Sequence, residues 1–132
     1  MALWNSLARP MVVLAMLAGT SSGSAIAEEK APMVRLAKLV IDASQLEAYR
    51  AYLTEEVNAS MEREPGVRTL YAVSEKDRPT HFTILEIYAD RGAYEKHIKS
   101  PHFLKYKAGT ERMVKSLELI DTVPLVPDMK IK

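Results

Sequence analysis

The sequence predicts an α+β domain with its elements in the order β-α-β-β-α-β. Three observations carry that expectation. Four segments rich in apolar residues and bounded by turn residues read as strands: Met33 to Ile41, Val67 to Glu75, Thr80 to Tyr88 and Leu117 to Val123. Apolar residues at helical spacing fill the interval between the first and second strands, and a shorter, broken helical stretch fills that between the third and fourth. The polar, proline-ended turn Lys76-Asp77-Arg78-Pro79 joins the middle two strands as a hairpin. This order is the ferredoxin-like split motif, which lays its helices on one face of a four-stranded antiparallel sheet.

Each element has a local cause. In the first strand both parities are apolar, Val34, Leu36 and Val40 on one side and Ala37, Leu39 and Ile41 on the other. Ser44 and Glu47 have capping-box spacing and predict a helix to about Arg63, with the stripe Leu46, Tyr49, Leu53, Val57 and Met61 turned inward. Glu64-Pro65-Gly66 ends that helix. Asp90 is placed to cap a short second helix through about Ile98. Ser100-Pro101 then breaks the chain and restarts it from His102 towards Met113, with Gly109-Thr110 offering an earlier stop.

Strands that are apolar on both faces leave one face uncovered when helices occupy only the other. Phe82, Ile84 and Tyr88 alternate with Thr83, Leu85 and Ile87 in this way. A monomer rarely exposes so much apolar surface. The pattern therefore predicts a homodimer packed sheet to sheet, a dimeric α+β barrel.

Composition narrows the classes of function. Residues 1–27 read as a signal peptide: Arg9 precedes the apolar run of residues 11–18, and Ala25-Ile26-Ala27 fits a cleavage site before Glu28. The run falls well short of the ~20 residues a membrane span needs, so a periplasmic or secreted protein without stable membrane insertion is expected. Residues 28–132 then form one domain. Removing the leader takes away Arg9 and leaves 17 basic against 17 acidic residues, with no basic stripe to recruit nucleic acid. No cysteine is present, which excludes a disulfide framework. Three histidines without an H-x-x-x-H pair match no zinc pattern, so no metal site is expected.

The candidate chemistry lies between Thr80 and Phe103, which holds all three histidines. Glu86 shares a strand face with Phe82, Ile84 and Tyr88. Burying its carboxylate costs several kcal/mol unless it is paired or protonated. It is either a pocket acid that orients a substrate or a structural partner for an arginine or a tyrosine hydroxyl. His97 shares a helix face with Ala93 and Tyr94 and is either a proton-exchanging group or a helix-end histidine bonded to a free carbonyl. His102 stands at a helix entry, as a base or as a cap. His81 is expected at the sheet edge. Six tyrosines suit either core packing or a pocket for a flat aromatic ligand, and no nucleophile motif, phosphate loop or dinucleotide fingerprint is present.

The ordered set Glu64-Pro65-Gly66, Glu86-x-Tyr88-x-Asp90, Ala93, His97 and Ser100-Pro101-His102-Phe103 resembles the antibiotic biosynthesis monooxygenase family, including its small quinol monooxygenases. The resemblance implies a dimeric barrel with a pocket between sheet and helices. It also implies oxygenation of a quinol or phenolic small molecule by dioxygen, with no cofactor. Under it, His97 or His102 is the base, and Glu86 with Tyr71, Tyr88, Tyr94 and Phe103 holds the substrate. Haem-degrading members resemble the chain around Ser100 to Phe103, but they carry a tryptophan where His97 falls and a haem-ligating histidine near Lys107. The same fold also serves cofactor-free isomerases and small-molecule-binding or stress-response proteins without turnover.

Overall fold

The computed structural model describes residues 30–126. The leader and its cleavage site lie outside these residues. Strand β1 (Met33–Ile41) leads through a 3-10 turn (Ala43–Gln45) into helix α1 (Leu46–Arg63). Strands β2 (Val67–Ser74) and β3 (His81–Tyr88) form the hairpin. Helices α2 (Arg91–His97) and α3 (Pro101–Thr110) precede strand β4 (Val114–Thr122). The sheet order is β2-β3-β1-β4, and all three pairings are antiparallel. The ferredoxin-like α+β class is as the sequence predicts.

The core lies between the helices and one sheet face. Ala37, Leu39 and Ile41 of β1 and Phe82, Ile84 and Tyr88 of β3 are buried there, against Tyr49 and Leu53 of α1 and Tyr106 of α3. The opposite face carries Leu36, Leu85 and Ile87, all only partly buried, with Tyr71 and Val73 exposed.

Three local expectations need correction. Ser44 and Glu47 do not form a capping box. Asp42 accepts from the Ser44 backbone N–H at 2.9 Å and from its hydroxyl at 2.7 Å, which opens the 3-10 turn, and α1 starts only at Leu46. The inward stripe of α1 does not reach Met61, which is 47% exposed; the buried side runs Tyr49, Leu53, Glu56, Ser60. Finally, β4 begins at Val114. The Met113 carbonyl accepts from the Asp42 N–H and Val114 pairs with Ile41, while Ser116 pairs with Val40, so the polar Lys115 is the extra residue of a bulge in the edge strand β4.

Asp90 caps α2 by accepting from the Ala93 N–H at 2.8 Å, and Ser100 caps α3 by accepting from the Phe103 N–H at 3.3 Å. Gly66 permits the close approach of α2 to β2. A Cβ at this position would lie 2.6 Å from that of Ala93, and the Gly66 carbonyl accepts from the Ala89 N–H at 2.7 Å. Together these contacts set where the last residue of α2, His97, meets the end of α1.

Candidate active site

Between the sheet and the helices lies a small cavity of about 40 Å³. Its walls are mostly apolar, with Leu39, Leu53, Ile84 and Phe103 among them; Glu56, Glu86 and His97 bring polar groups. That volume holds a few waters at roughly 10–15 Å³ each, so an aromatic ring enters only if wall side chains move.

Glu86 is the acid whose environment is most informative. It lies opposite Arg35 in the β1–β3 register, and Arg35 lies opposite Asp121 in the β1–β4 register. The buried Arg35 guanidinium bonds Asp121 Oδ1 at 2.7 Å and the Tyr94 hydroxyl at 3.0 Å, and lies 4.8 Å over the Tyr94 ring. Glu86 Oε2 accepts from the Tyr88 hydroxyl at 3.1 Å. Burial pushes the Glu86 carboxyl up to about 7, against the Tyr88 hydrogen bond and the Arg35 charge, and with help from Glu56 and Asp121. A carboxyl so poised exchanges protons at neutral pH.

A second group of side chains forms the wall behind the cavity. His97, 3% exposed, sets Nδ1 2.9 Å from Glu64 Oε2 and faces Glu56 Oε1 with Nε2 at 3.5 Å. His102 Nε2 meets the same Glu64 oxygen at 2.6 Å. Burial opposes ionisation of Glu64, but the hydrogen bonds from His97 and His102 outweigh it and hold this carboxyl below its ordinary value. Glu56 moves the other way. Burial raises it, only partly offset by the Ser60 hydroxyl it accepts from at 2.7 Å. Further along the core, the Tyr49 and Tyr106 hydroxyls lie 2.8 Å apart, and burial pushes Tyr49 up to about 12.

Residues 32–109 match the family model described as antibiotic biosynthesis monooxygenase. A solved structure of a candidate antibiotic biosynthesis monooxygenase from Bacteroides thetaiotaomicron is 59% identical, covering 79% of this chain and 99% of its own, with a TM-score of 0.76. The chain belongs to the antibiotic biosynthesis monooxygenase family. A candidate monooxygenase from Lactobacillus acidophilus is 30% identical at a TM-score of 0.69, over 71% of this chain and 45% of that one. A candidate family member from Nitrosomonas europaea, 21% identical over 73% of this chain and 92% of its own, shares the fold at a TM-score of 0.68. None of the curated proteins compared matches the chain.

Within this family member the residues named from sequence divide into three groups. Glu86, His97 and Phe103 line the cavity. Tyr88 and Tyr94 are buried outside its lining, with ring centroids 5.3 Å apart; Tyr88 reaches it through Glu86, and Tyr94 bonds Arg35. His102 faces Glu64 and a surface depression shared with Arg63 and Lys105, not the cavity. Tyr71 does not join the site: it is 67% exposed on the opposite sheet face. Its displacement comes from a register shift between Val67 and Thr69, which turns Leu70 inward and Tyr71 outward. His81 opens β3 at the far end of the strand from Tyr88.

Sequence reasoning missed Arg35, Glu56 and the bridging role of Glu64. Glu56 lies seven residues after Tyr49 and three after Leu53, and this helical spacing was the signal for its inward side. Glu64 stood out only as the end of a helix.

Proposed function

We propose that this chain is a cofactor-independent monooxygenase for a quinol or related phenol, with Glu86 as the proton acceptor. The observation that carries this reading is a carboxyl raised by burial to about 7 and lining a mostly apolar cavity, with the cross-strand Arg35 bonded to Asp121 and Tyr94. His97 is a weaker candidate for the base, because carboxylates face both of its ring nitrogens.

The chemistry follows from the substrate class. An ionised phenol has an electron-rich ring carbon ortho or para to its oxygen. Glu86 takes the phenolic proton, and that carbon bonds to dioxygen, which the ring reduces to a hydroperoxide. Loss of water leaves a carbonyl on the ring. One oxygen atom stays in the quinone product, the other leaves as water, and the ring supplies both electron pairs. The apolar cavity favours this sequence by keeping bulk water from the ionised ring.

Two further expectations belong to this reading. The half-covered sheet face with Leu36, Leu85, Ile87 and the exposed Tyr71 supports a sheet-to-sheet homodimer. The leader supports export, and N-terminal sequencing of the mature protein should begin at Glu28.

The direct test is dioxygen uptake with simple quinols, comparing the native chain with Glu86→Gln. Loss of a general base costs roughly 100-fold or more in turnover. A variant within a few-fold of the native rate removes Glu86 from the mechanism. Proton exchange at substrate carbon without dioxygen uptake would identify an isomerase instead.

A further inference from the structure

Glu64, His97 and His102 belong to three different elements: the residue after α1, the last residue of α2 and the second residue of α3. Their donor atoms nonetheless converge, all lying within 4.8 Å of one another. Both histidines aim a ring nitrogen at the same oxygen, Glu64 Oε2, at 2.9 Å and 2.6 Å. Ligands bound at about 2.0–2.2 Å from one cation sit roughly 3 Å apart when they are neighbours in its coordination shell. The two glutamate–histidine separations are near that value, so one cation in place of the two shared protons needs the histidine nitrogens to close on each other, within the 4.8 Å that now bounds the triad.

Two further observations favour a cation. The first is the surroundings of the ligands. Metal-bound histidines commonly donate their other ring N–H to a carboxylate, which fixes the ring and its tautomer. With Nδ1 of His97 on a cation, the proton moves to Nε2, which faces Glu56 Oε1 at 3.5 Å, and Glu56 is itself held by Ser60. Ser100 ties α2 to α3 by donating to the His97 carbonyl at 2.7 Å while capping α3, so the backbones bearing both imidazoles are fixed together. The second is position. His102 borders an open surface depression whose charged lining is Glu55, Glu62, Arg63 and Lys105, while the Phe103 ring flanks His97 at 5.0 Å on the cavity side. The triad thus has one ligand at the protein surface and one at the cavity wall.

We propose that Glu64, His97 and His102 bind one divalent first-row transition cation, clamping the ends of the three helices behind the cavity wall. Two imidazoles and a carboxylate suit zinc, cobalt, nickel or ferrous iron rather than calcium or magnesium. The histidines stand only five positions apart, and their acidic partner lies more than thirty residues upstream, which is why spacing along the chain reveals no metal pattern. This site goes beyond the oxygenase reading, and the two fail separately, because no turnover is needed to observe the cation.

The test uses the tag-free, chelator-treated chain, with zinc followed by calorimetry and cobalt by its visible absorption. One cation per chain is expected. Glu64→Gln and His102→Ala should each weaken binding by about 100-fold, and Glu56→Gln by about 10-fold or more. Imidazole nitrogen NMR of the native chain with zinc gives a second readout that needs no variant. Coordinated Nδ1 with protonated Nε2 is expected for His97, and the reverse for His102. Absence of saturable binding, native-like affinity in folded Glu64→Gln and His102→Ala, or unshifted imidazole signals of His97 and His102 on saturation would each overturn the proposal.

Discussion

Replacing Glu86 by glutamine keeps the shape of the side chain and an oxygen to accept from Tyr88, while removing the ability to ionise. The Glu86 carboxyl lies at about 7 in the folded chain against an ordinary value of 4.5. Its raised value means that the folded state holds this proton more tightly than the unfolded state. Below about 4.5 both states are protonated and ionisation costs the fold nothing. Between about 4.5 and 7 the unfolded chain releases the proton first, so stability falls as pH rises. Above about 7 the cost is complete and constant. At about 1.4 kcal/mol per pH unit, that gap amounts to about 3 kcal/mol. The groups facing Glu86 are Arg35 on β1, Glu56 on α1, Tyr88 on β3 and Asp121 on β4. Glu56 is raised as well, first by its own burial, and adds its own fall in stability with pH to both proteins, so the comparison reads the difference between them. The assay is denaturant unfolding from pH 4 to 9 at one protein concentration. The two proteins should be nearly equal in stability at pH 4, and the variant about 3 kcal/mol more stable at pH 8, a Tm gain of roughly 10–20 °C for a domain of this size. Parallel curves across the whole range would refute the claim that burial holds this acid near neutrality.

Other consequences are as specific. Gly66→Val should destabilise the fold by about 1–3 kcal/mol, because a side chain there meets the Cβ of Ala93 and pushes α2 from β2; thermal unfolding measures it. Phe103→Ala should open the cavity wall, lower KM for bulkier phenols and cost about 3 kcal/mol of stability, read from steady-state kinetics beside denaturant unfolding. Leu85→Lys, on the uncovered sheet face, should convert the expected dimer to a monomer in light scattering while leaving the circular dichroism spectrum unchanged.

How far the chain could be read from its sequence depended on how local each cause was. The strands and helices were legible because apolar periodicity and turn residues are local signals, and Asp90 and Ser100 cap their helices from adjacent positions. The start of α1 was misplaced because two residues competed for the cap and Asp42, directly after β1, won. The resemblance puts Tyr71 with the substrate, and its alternation with Val67 and Thr69 gives no warning; only the pairing with β3 reveals the shift that turns it outward. Glu86 was legible as an acid on an apolar strand. Its poise near neutrality was not, since it comes first from burial under helices packed on the strand and then from Glu56 and Asp121, groups distant in the chain. Glu56 has inward spacing from Tyr49 and Leu53, but its partners Ser60 and His97 are known only once α1 and α2 are packed together. Glu64 meets His97 and His102 across 33 and 38 residues, a distance no spacing rule spans.

The most direct measurement of the central claim is turnover of a quinol under oxygen-18 gas, with the product analysed by mass spectrometry. The account predicts one labelled atom in the quinone and one in water, at a rate that falls about 100-fold in Glu86→Gln. Product formed at the uncatalysed rate, or quinone without label, would contradict it.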